Sequence, residues 1–293
     1  MNRMTGLVLA VGALTSAALL PGAARAQDAK LLARGTYLMN SIVACGNCHV
    51  QRDPSGKPIA DKGLSGGMVF DEEPFKAYGS NITPDPETGI GKWTDAQLAR
   101  AIREGIRPDG TVIGPPMPIV FYRGMSDDDL KAIIAYLRAQ PAVKNVVPKS
   151  EYRIPLPPNY GPPVAGVKTP STKDTVKYGE YLAGPLGHCL ECHTPWVKGQ
   201  PDMARAGAGG NPFKGPWGVA VSRNITPHES GLKGWTDAEI ARAIQQGIGK
   251  DGKPLKPPMA YGWYRNIDAA DMKALIAYMR SMKPQPFGGT PAK

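Results

Sequence analysis

The sequence predicts an all-α fold of two tandem domains, on three observations. The first is a duplication. Gly35-x-Tyr37-Leu38 recurs as Gly179-x-Tyr181-Leu182, and Cys45-Gly46-Asn47-Cys48-His49 as Cys189-Leu190-Glu191-Cys192-His193, both at an offset of 144 residues. Gly66-Gly67 and Asn81-Ile82-Thr83-Pro84 recur at 143, and Trp93-Thr94-Asp95 and Pro115-Pro116-Met117 at 142, so the loops hardly change length. The second is a 3.6-residue apolar period between these landmarks. The third is a scarcity of strand signals.

The elements follow in order. Arg3, the apolar run Leu7 to Leu20 and Ala24-Arg25-Ala26 have the layout of a secretory signal peptide over residues 1–26, with the mature chain starting at Gln27. The alternative is an N-terminal membrane anchor, against which the shortness of the run and the A-x-A site weigh, and no later stretch approaches the roughly 20 apolar residues that span a bilayer. A soluble protein of the periplasm is expected. The formal charge of +10 falls to +8 when Arg3 and Arg25 leave with the leader. A basic surface favours an acidic partner or peripheral contact with an anionic membrane face; the alternative is that the charge only keeps the protein soluble. Nothing resembles a nucleic-acid module.

Domain 1 is assigned to 27–140 and domain 2 to 173–283. Each reads as three helices. The first covers Lys30 to Val43, or Lys177 to Leu186, and leads into the cysteine motif. The second starts at Thr94 or Thr236, which with Gln97 or Glu239 has capping-box spacing. Its apolar face is Leu98, Ala101, Ile102 and Ile106, repeated as Ile240, Ala243, Ile244 and Ile248. The third is capped by Ser126 or Asp268 and carries Leu130, Ile133, Ile134 and Leu137, or Met272, Leu275, Ile276 and Met279. Residues 141–172, with Pro148, Pro155, Pro157, Pro158, Pro162 and Pro163, form a stiff extended linker. Residues 284–293 are expected to be a flexible tail.

The chemistry lies in the two C-x-x-C-H segments. Two thiols at this spacing can add to the two vinyl groups of a haem while the adjacent imidazole lies beneath the iron. Cys45 and Cys48, then Cys189 and Cys192, are therefore the expected attachment points of two covalent c-type haems, with His49 and His193 as iron ligands. The motifs use every cysteine in the chain. Two disulfides are the alternative in an oxidising compartment, but they need no histidine after each pair. A zinc or redox-sensing site is another, but it leaves a repeat of over a hundred residues unexplained.

What fills the sixth iron position separates electron transfer from catalysis. Met117 follows His49 by 68 residues and Met259 follows His193 by 66, each in a Pro-Pro-Met loop. Prolines fix φ and can hold such a loop with its sulfur aimed at one point. An isolated methionine would read as core packing, but its recurrence in the same loop marks both as ligands. Asn81 and Asn224 are read either as turn formers or as partners of a haem propionate. Trp93, Trp235, Arg123 and Arg265 are weighed as propionate partners against packing or surface roles. His188 and His228 are read as surface residues.

With both C-x-x-C-H motifs, the Gly-Gly and Asn-Ile-Thr-Pro loops, "TGIGKWTDAQLARAIREG" and "PPMP" followed by "MSDDDLKAIIAYLRA", the chain resembles the bacterial diheme c-type cytochromes. Within these it resembles the cytochrome c subunits of periplasmic alcohol, aldehyde and gluconate dehydrogenases. Those subunits commonly have three haems and a C-terminal membrane segment, whereas this sequence shows two motifs and no such segment. The resemblance implies class I cytochrome c-like domains, His and Met axial ligands in both, and no catalytic residues. It also implies electron transfer from a dehydrogenase towards a terminal oxidase or another cytochrome. The competing reading is a diheme enzyme of the peroxidase or thiosulfate-oxidising type. Such an enzyme needs an open iron or an unusual distal ligand, and the paired Pro-Pro-Met loops argue against both.

Overall fold

The computed structural model describes residues 21–53, 56–197, 199–215 and 217–289. The expected leader lies outside them except for the backbone of its last six residues. In the first repeat the helices are α1 (Pro21–Asn40), α2 (Gly46–His49), α3 (Asp95–Glu104), α4 (Ile119–Tyr122) and α5 (Asp127–Arg138). The second repeat has α6 (Thr175–Tyr181), α7 (Cys189–His193), α8 (Asp237–Gln246), α9 (Tyr261–Tyr264) and α10 (Ala269–Ser281). Among the described residues no helix is long and apolar enough to cross a membrane.

The long helices begin where the side chains can cap them. Thr94 and Thr236 each form a full capping box, with Gln97 and Glu239 reaching back. Ser126 and Asp268 cap α5 and α10 by accepting the Asp129 and Asp271 amides. Gly105 and Gly247 end α3 and α8 in the left-handed region at φ 67° and 66°. The apolar stripes of α5 and α10 are buried, so these helices face the core as their period requires. The repeated Gly-x-Tyr-Leu has a steric cause. A Cβ on Gly35 would strike the Ala132 carbonyl oxygen, and one on Gly179 that of Ala274, so glycine lets α1 cross α5 and α6 cross α10 in close contact.

The first helices differ from expectation at both ends. α1 already includes Pro21, and α6 stops at Tyr181, where the chain widens into a π-turn over Leu182–Leu186 that contains Pro185. The Gly187 amide reaches the Leu182 carbonyl at 2.7 Å, and Val43 reaches Leu38 in the same way at 3.1 Å.

The all-α expectation needs correction. An antiparallel hairpin of β1 (Val69–Glu72) and β2 (Phe75–Tyr78) gains a third strand, β3 (Glu151–Tyr152). A small hairpin pairs β4 (Trp196–Val197) with β5 (Gln200–Pro201), and β6 (Pro212–Gly215) pairs with β7 (Gly218–Val221). Their runs of two to four residues are too short for a period to register.

The linker and tail also differ from expectation. Val143, Asn145, Ser150, Tyr160 and Thr169 all bond back to the first repeat, so 141–172 completes that half. As far as Gly289 the tail is a packed strap, with the Gln285 carbonyl held by Asn224 at 2.7 Å and the Gly288 amide donating to Ala208. One apolar cluster runs through both repeats, from Leu38, Ile42 and Met125 to Leu182, Leu275 and Met279.

Candidate functional site

Each cysteine motif is a single short turn of helix, Cys45 capping α2 and Cys189 opening α7. The turn carries both cysteines and the histidine of a motif on five successive residues. It is entered through a left-handed residue in each repeat, Ala44 at φ 48° and His188 at φ 38°. None of the four cysteines is in a disulfide. Burial pushes the Cys45 and Cys48 thiols up to about 12 and that of Cys189 to about 11, and it raises Cys192 as well. Such surroundings disfavour the thiolates that a zinc site requires and suit uncharged thioethers. Among the described residues no cluster of three His, Cys, Asp or Glu side chains is arranged to hold a metal.

The two imidazoles are oriented alike. His49 Nδ1 donates to the Ser80 carbonyl at 2.8 Å and His193 Nδ1 to the Arg223 carbonyl at 2.6 Å. A carbonyl can only accept, so the ring proton sits on Nδ1 and the Nε2 lone pair is free to bind a metal. Burial lowers both pKa values, against the raising effect of the carbonyl bond, and so favours the neutral ligating form.

Met117 and Met259 lie partly buried against the core cluster, each after a cis Pro-Pro bond and just before the short helix α4 or α9. These helices carry Tyr122 and Tyr264 to the cysteines. Burial and then Cys45 and Cys48 hold the Tyr122 phenol far above its ordinary range, and burial with Cys189 and Cys192 does the same for Tyr264.

The motifs also meet across the repeats. Asn47 Nδ2 donates to the Pro258 carbonyl at 3.2 Å, and a Cβ on Gly46 would press on the Trp263 indole. His188 stacks edge-on to Tyr122 with ring centroids 5.7 Å apart and pairs with Glu191 at 3.1 Å, so it is an interface residue and not the surface residue expected. The interface is pinned by a pseudo-symmetric pair of tyrosines. Tyr37 donates to Asp271 at 2.7 Å and accepts from the Asp268 amide, and Tyr181 donates to Asp129 at 2.7 Å and accepts from the Ser126 amide. Sequence reasoning missed this role. The signal was present in the shared Gly-x-Tyr-Leu offset.

The other candidates make these contacts. Asn81 accepts from the Thr83 amide and hydroxyl and donates to the Val143 carbonyl, and Asn224 repeats this with Thr226 and Gln285. Both build the turn and fasten the following strap. Arg123 bonds the Pro162 carbonyl of the linker, while Arg265 is exposed and bonds Gly262. Trp93 and Trp235 pack against the core.

Residues 178–283 match the Cytochrome c family. A protein named "Diheme cytochrome c-type" from Cereibacter sphaeroides is 31% identical over 252 residues, covering 80% of this chain and 81% of that one. The "Alcohol dehydrogenase (quinone), cytochrome c subunit" of Gluconobacter oxydans is 33% identical over 291 residues, which is 91% of this chain and 58% of that one. The "Fructose dehydrogenase cytochrome subunit" of Gluconobacter japonicus is 29% identical over 280 residues, 88% of this chain and 54% of its own length. The chain therefore spans less than two thirds of the dehydrogenase subunits it matches.

Proposed function

This chain belongs to the c-type cytochromes, and from that premise we propose that it is a periplasmic diheme electron carrier built from two tandem class I cytochrome c-like domains. It takes electrons from a dehydrogenase and passes them to a terminal oxidase or another cytochrome. The observation that carries the reading is the twice-repeated helical turn in which two cysteines precede an imidazole fixed through Nδ1 at 2.8 and 2.6 Å. Cys45 and Cys48, and Cys189 and Cys192, would hold the haems, and His49 with Met117 and His193 with Met259 would supply the iron ligands. Bound there, each haem supplies a one-electron iron couple whose potential a Met ligand raises.

The chain's own residues do the rest. The Ser80 and Arg223 carbonyls hold the imidazole tautomer. The Pro-Pro-Met loops would each supply a methionine sulfur to the iron and so close it to outside ligands. Asn47, Trp263, Tyr122 and His188 hold the two motifs against each other. The relatives that are dehydrogenase subunits support a dehydrogenase donor. A leader over 1–26, cleaved before Gln27, would deliver the chain to the periplasm, where the cysteine motifs are loaded.

Optical spectroscopy of the purified holoprotein tests this. Two haems per chain, the weak sulfur-to-ferric-iron band from both, and a reduced spectrum that carbon monoxide leaves unchanged are expected. Met117→Ala or Met259→Ala should each open one haem to carbon monoxide. Carbon monoxide binding by the unaltered protein would overturn the carrier reading in favour of a diheme enzyme.

A further inference from the structure

The two repeats differ at one edge. In the first, β3 from the linker pairs with the outer side of β2, Lys76 opposite Glu151 and Phe75 opposite Tyr152. Tyr152 lies on Phe75 with centroids 6.3 Å apart, the Arg153 amide donates to the Pro74 carbonyl, and Arg153 pairs with Asp71 at 3.4 Å. In the second repeat the sheet has two strands, and among the described residues no strand pairs with the outer side of β7.

At the offset of 143 residues Val219 corresponds to Lys76, so the ladder alternation turns its N–H and C=O outward. That carbonyl meets the Lys256 Nζ at 3.4 Å. Val219 and Val221 are 51% and 48% exposed. One charge beside the edge is inverted and another is added. Lys214 stands where the first repeat has Asp71, and Lys256 stands where it has Gly114, whose missing side chain makes room for Tyr152 and Leu156. The stretch from Pro212 to Arg223 contains no acidic residue.

We propose that the outer edge of β7 docks an extended acidic segment of a partner protein, which adds to it as a third strand in the place that the linker's β3 takes on β2. The first repeat shows the geometry, and the swap of Asp71 for Lys214 sets the sign of the charge: where the linker brings Arg153, the partner brings Asp or Glu. Main-chain hydrogen bonds supply the register of such an addition and the flanking side chains its specificity. The edge leads to the candidate site, because two residues past Val221 the Arg223 carbonyl holds His193 at 2.6 Å. A strand docked here lies beside the second motif, while the linker covers the equivalent approach to the first. The docking does not depend on haem chemistry; only its use in electron exchange rests on the function proposed above.

The test is hydrogen exchange read by mass spectrometry on the full holoprotein, with a fluorescein-labelled peptide alternating glutamate with valine or tyrosine as the probe and its lysine counterpart as the control. Protection confined to residues 217–223 is expected with the acidic peptide and not with the basic one. Affinity read by anisotropy should fall about tenfold or more in Lys256→Glu, in Lys214→Glu and at high salt. Val219→Pro, which removes the outward N–H, should lower it as well, and the exposed Lys131→Glu should leave it unchanged. The lysine variants alter only exposed side chains, so the test does not hang on the folding of the proline variant. Absent protection, or protection elsewhere, overturns the proposal. So does self-association in sedimentation that Val219→Pro abolishes, which would assign the edge to a second copy of this chain. Either result leaves the optical test of the haems untouched.

Discussion

Tyr37 and Tyr181 join the repeats through one hydroxyl each, and their settings rank their contributions. Tyr181 is buried and its partner Asp129 is also held by Arg34 at 2.8 Å, whereas Tyr37 is only partly buried. Tyr181→Phe and Tyr37→Phe each remove a hydrogen bond to a buried carboxylate, and the cost should be about 2–3 kcal/mol for the buried Tyr181 and about 1 kcal/mol for the more exposed Tyr37. Urea titrations of the two variants check the order. A second residue sets an acid limit. The Arg103 guanidinium bonded to Asp127 holds that carboxyl below its ordinary 3.8. A native pKa below the unfolded one stabilises above 3.8 and loses that contribution as pH falls through the native value. Asp127→Asn should therefore be less stable than the parent at neutral pH, with the difference closing at the acid end. Melting curves against pH read this directly.

At the scale of elements, the linker is the informative piece. Its prolines make it extended, but what it covers depends on Gly114, where a Cβ would run into the Tyr152 ring and Leu156. Placing the second repeat's residue there, Gly114→Lys, should lift β3 off β2. The expected cost is about 1–3 kcal/mol of overpacking, with faster hydrogen exchange over 75–78 and 148–157 and little change in α5. A linker that acted only as a tether would tolerate the change without loss. The same reasoning explains the tail: Gln285 fastens to Asn224 as Val143 does to Asn81, so the strap continues each third helix back over its own loop.

On the scale of the whole molecule, the shared core makes the repeats one cooperative unit. Leu38, Ile42, Leu182 and Leu186 belong to the same buried cluster, and the tyrosine pins tie each third helix to the other repeat. Intact holoprotein should melt in a single transition. Cys189→Ala with Cys192→Ala should lower that transition for both repeats together, followed by the remaining haem absorbance of the first. Two separate transitions, with the first repeat unmoved, would show that the interface is weaker than its packing implies.

The sequence by itself determined what depends on local spacing: the two C-x-x-C-H turns, the Pro-Pro-Met loops, and the long helices, whose caps at Thr94, Ser126, Thr236 and Asp268 and apolar periods act within a few residues. The repeat also made the second half legible from the first. Only the tertiary structure decided the short strands, the docking of linker and tail, the role of Tyr37 and Tyr181, and the meeting of His188 with Tyr122. Each of these depends on contacts between residues far apart in the chain, and strands of two to four residues are selected by the partner they pair with and not by their own pattern. The contrast between the covered β2 and the open β7 has the same origin, since equal spacing in the two repeats says nothing about which edge another segment comes to cover.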